Sequence, residues 1–290
     1  MKKRGLIYVI LAGILWATSG VFFNLLKPYG FSPLHMTAMR GVVAAIFMAF
    51  YVLFCDRELY RITFKEFIIF ALGGLSVFRV AVCYYAAIDL SSVSTAVILM
   101  YTAPVFVTVY SVLFMGEKLS VKKFAAIVII IAGCALVSGV IGGMKFSPMG
   151  ILMGLLAGIC YSAYNIFTKI GMMQKSNPLS SALYCFIVMG IASLLFCHVP
   201  EALPLIAVSP VKIILLILGI GIMTCFLPYI LYTAALKDIP AGTASSLSII
   251  EPMAATVFSV AFFGEKITLA SFLGIVLILT AVFMLSRNGE

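Results

Sequence analysis

One long stretch of this chain occurs twice. Residues Tyr84–Phe124 lie on Tyr232–Phe272 without a gap. Tyr84 then falls on Tyr232, Thr95-Ala96 on Thr243-Ala244, Pro104 on Pro252, Thr108-Val109 on Thr256-Val257, and Gly116-Glu117-Lys118 on Gly264-Glu265-Lys266. The beginnings of the halves match more weakly, Ala12-Gly13 with Ala157-Gly158 and Pro33 with Pro178. Each half holds about five apolar stretches of the roughly 20 residues needed to cross a bilayer. An odd number of spans per copy forces the second copy upside down relative to the first. The expected fold is therefore all-α and membrane-integral, ten transmembrane helices as two inverted five-helix repeats, with units at 1–141 and 148–286.

Composition agrees with a bilayer as solvent. The chain is 64% hydrophobic and 10% charged, far less charge than a soluble domain of this length carries. No alternating ten-residue segments suggest a β-barrel, and backbone polar groups in hydrocarbon must be satisfied within helices. The expected spans are Gly5–Leu26, Leu34–Phe54, Phe64–Ile88, Val93–Met115, Val121–Ile141, Pro148–Lys169, Leu179–Cys197, Val211–Leu236, Ala241–Phe263 and Thr268–Ser286. The first runs past the apolar core of a signal peptide and reads as a retained helix.

Charge placement sets the expected orientation. With the N-terminus inside, thirteen Lys/Arg fall on cytoplasmic segments: Lys2, Lys3, Arg4, Arg57, Arg61, Lys65, Lys118, Lys122, Lys123, Lys169, Lys175, Lys237 and Arg287. Four, Lys27, Lys145, Lys212 and Lys266, fall outside. Both termini are expected in the cytoplasm of a multi-pass protein of the cell (inner) membrane. The net charge of +9 sits in short loops, with no basic face or tail, so no nucleic-acid partner is expected. The seven cysteines are scattered and never spaced C-x-x-C, which gives neither a disulfide framework nor a metal site. No phosphate-binding Gly-Lys-Ser loop and no hydrolase or metalloprotease motif is present. No catalytic residue, cofactor or metal is expected.

Three ionisable residues lie inside apolar spans, where a charge costs several kcal/mol unless paired or hydrated. Glu251 sits near the middle of span 9, the one deep carboxylate among ten acidic residues. It reads as a substrate or proton-binding group, or as a structural carboxylate beside Pro252. Arg40 lies in span 2 and Arg79 in the outer half of span 3; arginine suits an anionic or zwitterionic solute. Pro104 and Pro252 lie mid-span, each removing a backbone donor and kinking its helix. Gly150, Gly154 and Gly158 form a small-residue stripe on span 6 that suits close helix packing.

The two five-helix halves, Arg40 early in span 2, Pro104 and Pro252 mid-span, Gly-Glu-Lys closing spans 4 and 9 (Glu117, Glu265), and the pair Glu251-Pro252 together resemble the EamA-type branch of the drug/metabolite transporter superfamily. The resemblance covers nearly the whole chain. It implies a secondary transporter of small metabolites, commonly outward, in a family that includes amino-acid exporters. It further implies a central cavity lined by spans 1, 3, 4, 6, 8 and 9, with spans 2, 5, 7 and 10 peripheral. Arg40 follows the family pattern on a peripheral span and reads as structural. Arg79, outside that pattern on a lining span, reads as a ligand.

The candidate substrate-binding residues on those lining spans are Arg79, Trp16, Tyr85, Tyr101, Tyr161, Asn165, Tyr232, Ser245, Ser248 and Glu251. Concave sites are mostly apolar with a few placed polar groups, and this set fits. The expected activity is alternating-access transport of an amino acid or related compound. Alternatives are export of a drug-like organic cation and, in another class, a membrane-embedded lipid-handling protein or enzyme. The expected partners are a small-molecule substrate and the lipid bilayer; a homodimer is compatible with the chain.

Overall fold

The structure is a computed structural model that describes residues 3–114, 120–137, 147–174, 176–197, 199–239, 243–244 and 247–286. Among these every regular element is helical. In chain order they are α1 (Lys3–Leu26), α2 (Pro33–Cys55), α3 (Phe64–Leu90), α4 (Val93–Met100), α5 (Ala103–Phe114), α6 (Val121–Val137), α7 (Pro148–Met173), α8 (Pro178–Phe196), α9 (Val199–Ala207), α10 (Pro210–Gly221), a π-helical turn (Ile222–Phe226), α11 (Leu227–Ala235), α12 (Ile250–Phe263) and α13 (Leu269–Ser286).

Local sequence explains where the helices begin. Four start with proline at the first helical position, preceded by Ser32, Ser147, Asn177 and Ser209. Proline's missing N–H costs nothing there and its φ is already helical. Ser32, Ser147 and Asn177 also accept a hydrogen bond from a first-turn N–H, which satisfies a donor the helix cannot. Thr63 and Glu66 close a reciprocal capping box on α3.

Among the described residues, seven helical stretches are long and apolar enough to cross a membrane: 3–29, 33–55, 64–90, 93–114, 148–173, 178–196 and 210–235. Ile250–Phe263 and Leu269–Met284 are apolar but shorter. Two expected spans differ in detail. Span 4 is two helices, α4 and α5, separated at Tyr101–Thr102. Span 8 passes from α10 through the π turn into α11. Its approach contains the short helix α9, with Pro204 inside it. The strong amphipathic pattern of that segment sustains a helix that its prolines alone would argue against.

The two halves pack by equivalent contacts. α3 lies along α7, and correspondingly α1 lies along α10 and α11; α4 lies against α7, and α1 against α12; α2 meets α8, and α6 meets α13. Glycines permit the closest approaches. A Cβ on Gly158 would stand 2.6 Å from Thr102 Oγ1 and 3.1 Å from the Leu99 carbonyl. At the matching place, a Cβ on Gly13 would stand 3.2 Å from Ile250 Cγ2 and 3.4 Å from the Glu251 nitrogen. Gly150 abuts Leu90 and Ser91, as Gly5 abuts Asp238 and Ile239. The expected glycine stripe of span 6 is thus a packing surface for the end of α3 and for α4.

The connecting loops repeat the theme. Tyr29, in the turn after α1, is covered by Lys212 Nζ at the start of α10, 5.4 Å from the ring centroid, and Lys27 pairs with Asp89 at 2.6 Å. In the other half, after α7, Ser176 donates to Glu66 at 2.6 Å, Ser180 to the Leu59 carbonyl and Tyr184 to the Tyr60 carbonyl.

Candidate functional site

The two interrupted spans meet. α4 ends at Met100, and Pro104 is the second residue of α5. Ser248 and Ile249 form a turn before α12, in which Pro252 is the third residue. Each proline therefore opens a helix after a break instead of bending a continuous one, because a first-turn position needs no N–H donor. Behind each proline the same repair recurs. Thr108 donates to the Pro104 carbonyl at 2.8 Å and Thr256 to the Pro252 carbonyl at 2.9 Å.

Tyr101, at the first break, reaches the second. Its hydroxyl lies 2.8 Å from Glu251 Oε2 and 3.0 Å from the Ser248 carbonyl oxygen. One proton faces two acceptors. Tyr101 is buried and Glu251 half-buried. Among the described residues, Glu251 Oε1 has no hydrogen-bond partner.

A second polar group stands beside the first. Arg40, on α2, points its guanidinium at the π turn: Nε donates to Cys225 Sγ at 2.8 Å and Nη2 to the Thr224 carbonyl at 3.2 Å. Nη1 makes only long contacts of 3.5 Å, to Ser19 Oγ and Tyr85 Oη, which are themselves hydrogen-bonded at 3.0 Å. π turns leave helix carbonyls in unusual positions and recur at functional sites. Here Thr224 supplies such a carbonyl to a cation. Arg40 and Glu251 are near enough to interact electrostatically but form no direct ion pair. Tyr84, buried and packed on Tyr85 with ring centroids 5.6 Å apart, interacts with both charges.

Aromatic rings pack against one another nearby. Trp16 sits edge-on to Tyr229 at 5.5 Å and 5.6 Å from Tyr232. Tyr232 lies beside Ser248, and Tyr229 beside Tyr164. Tyr161 stacks on Tyr164 at 6.2 Å and lies within electrostatic reach of Glu251.

Of the candidates read from sequence, Trp16, Tyr101, Tyr161, Tyr232, Ser248 and Glu251 come together, and Tyr85 joins them through Arg40. Asn165 is half-buried on α7, and no contact ties it to the group. Ser245 lies outside the described residues. Arg79 is exposed, beside Cys83 and Cys160, with no hydrogen bond to the cluster. Sequence reading assigned Arg40 a structural role on a peripheral span, and the structure points it inward. A signal was present: Thr37, Gly41 and Ala44, on the same helical face, are small, and all three are buried. Cys225, one of the scattered cysteines, accepts from Arg40 Nε through its sulfur.

The arrangement offers hydrogen-bonding groups, rings and two opposite charges. No metal-ligating cluster of His, Cys, Asp or Glu exists among the described residues.

Comparison with known proteins places this geometry in context. The model of the EamA-like transporter family matches the chain twice, at residues 3–139 and 148–287. An uncharacterized transporter of Archaeoglobus fulgidus is 29% identical over 97% of this chain and 95% of its own length. The uncharacterized transporter YwfM of Bacillus subtilis is 25% identical over 97% of this chain and 93% of its own. Mouse solute carrier family 35 member G1 is 22% identical over 89% of this chain and 72% of its own. A solved crystal structure shares the fold with a TM-score of 0.65 at 19% identity, covering 100% of both chains.

Proposed function

The chain belongs to the EamA-like transporter family, and from that premise we propose a secondary-active transporter that moves amino acids or related small metabolites outward by alternating access. Its ten spans form two inverted repeats, residues 1–141 and 148–286, with both termini in the cytoplasm of the cell membrane. The observation that carries the reading is the meeting of the two interrupted spans at Tyr101, Ser248 and Glu251. Interrupted helices that expose polar backbone at a repeat interface are how many secondary transporters build a site near the midplane. Equivalent contacts between the halves support two alternative packings of similar energy, which rocking of one half on the other requires.

A second reading is export of a drug-like organic cation. It is favoured by the half-buried Glu251 carboxylate among Tyr101, Tyr161 and Tyr84, since cations are held by carboxylates and ring faces.

Purified protein in liposomes loaded with unlabelled solute should take up labelled solute in a saturable, trans-stimulated manner. An amino-acid panel and an organic-cation panel separate the two readings. Flux that rises linearly with concentration would indicate a pore, and no flux above empty liposomes for either panel would defeat both.

A further inference from the structure

Two cysteines far apart in sequence are brought together by packing between the halves. α3, in the first half, lies along α7, in the second. At one end Gly150 abuts Leu90 and Ser91; towards the other, Gly73 lies against Tyr164 and Phe167, and Gly171 against Phe70 and Ile69. These pairs make the two helices antiparallel. Residues seven apart return to one helix face. Ile69, Ser76, Cys83 and Leu90 therefore share a face of α3, and Gly150, Ala157, Tyr164 and Gly171 share the facing side of α7. Cys160 stands one turn before Tyr164 on that side. Between the two end contacts, Cys83 lies beside Cys160, and Arg79 lies beside both.

Both thiols are half-buried and Arg79 is exposed. Two other cysteines have their sulfurs engaged elsewhere: Cys185 donates to the Phe70 carbonyl and Cys225 accepts from Arg40 Nε. The exposed residues flanking the pair, Leu72, Leu75 and Ile159, are apolar, so an uncharged reagent reaches it most easily. Arg79 is the exception on this apolar face. In thiol chemistry the thiolate is the nucleophile, and reactive cysteines characteristically stand beside a cation.

We propose that Cys83 and Cys160 are a redox-active pair, closed to a disulfide between the two halves by an uncharged two-electron oxidant, with Arg79 stabilising the thiolate that attacks. The chemistry is independent of the solute carried. With diamide as the oxidant, one thiolate adds to a nitrogen of the N=N bond. The second sulfur then attacks the first, forming the S–S bond and breaking the S–N bond. The two S–H protons end on the two nitrogens, and the two electrons reduce the azo compound to a hydrazine. The bond ties α3 to α7, whose glycines Gly154 and Gly158 seat α4.

Detergent-purified protein should be treated with diamide, its remaining thiols alkylated, and the chain digested without reductant. Mass spectrometry is expected to find the Cys83 peptide joined to the Cys160 peptide, lighter than their sum by two hydrogen atoms and separated by dithiothreitol. Cys83→Ser and Cys160→Ser should each abolish that product. Arg79→Gln should slow its formation about tenfold, because the rate follows the thiolate population, and Arg79→Lys should restore most of the rate. Should the variants fail to fold, the crosslink in the unaltered protein still decides. Cys83 and Cys160 recovered as free thiols after Cys55, exposed at the end of α2, has been oxidised overturn the proposal. So does a main product that joins any other pair. An equal rate in Arg79→Gln overturns the part assigned to Arg79.

Discussion

Tyr101 offers a single proton to two acceptors belonging to the other half of the molecule, Glu251 Oε2 at 2.8 Å and the Ser248 carbonyl at 3.0 Å. A hydrogen bond to a charged group is worth about 1.5–3 kcal/mol. Tyr101→Phe keeps the ring and deletes both contacts. It is expected to destabilise by about 1–3 kcal/mol, read as a lowered thermal midpoint in detergent, and to raise the KM for transport. An unchanged midpoint would show that the link between the two breaks is energetically idle. The two intramembrane arginines should separate in the same assay. Arg40→Ala leaves the Thr224 carbonyl without its donor, an expected cost of about 1–3 kcal/mol. Arg79→Ala removes an exposed side chain with no hydrogen-bonded partner among the described residues and should stay within about 0.5 kcal/mol. Its transport rate then reports on function alone: a normal rate would remove Arg79 from the candidate ligands. Glu251→Gln keeps size and hydrogen bonding while deleting the charge. If Glu251 couples protons, the variant should still exchange solute but lose any response to an imposed pH gradient.

The helices are punctuated twice in the same way, by a turn, a proline in the first turn that follows, and a threonine closing on that proline's carbonyl. Each break is backed by a glycine of the other half, Gly158 behind Thr102 and Gly13 behind Ile250. The two are not equally tight. At Gly158 an added methyl meets Thr102 Oγ1 at 2.6 Å and the Leu99 carbonyl at 3.1 Å; at Gly13 it meets Ile250 Cγ2 at 3.2 Å and the Glu251 nitrogen only at 3.4 Å. Backbone cannot yield as a side chain can. Gly158→Ala should therefore destabilise by about 1–3 kcal/mol and Gly13→Ala by less, measured as thermal midpoints of the two variants side by side. The reverse order would mean that the break at Tyr101–Thr102 is the more yielding of the two.

For the whole molecule, the inverted-repeat reading makes a topological demand. On that reading Lys266, after span 9, lies outside, and its sequence counterpart Lys118, after span 4, lies inside. In a cysteine-free background, a membrane-impermeant maleimide should label Lys266→Cys in intact cells, and Lys118→Cys only after permeabilisation. Labelling in the opposite order would overturn both the orientation and the inversion.

Much of this was legible in the linear chain, because it depends on local physics. Apolar stretches of spanning length, proline after serine or asparagine at helix starts, the twofold recurrence of Tyr84–Phe124 in Tyr232–Phe272, and the isolation of Glu251 in an apolar span all follow from residue type and spacing. The grouping of Trp16, Tyr101, Tyr232, Ser248 and Glu251 also followed, once the lining spans were inferred from family resemblance. What the tertiary structure alone decided was azimuth. Successive residues on a helix point about 100° apart, and which direction faces a neighbour is set by packing across the two halves, far away in sequence. Arg40 and Arg79 look alike as arginines in apolar spans. Packing of α2 on the π turn of span 8 draws one inward, while Arg79 continues the exposed line of Leu72 and Leu75. The π turn itself, and the reach of Tyr101 from one break to the other, likewise arise from contacts between segments more than a hundred residues apart, which no local pattern encodes.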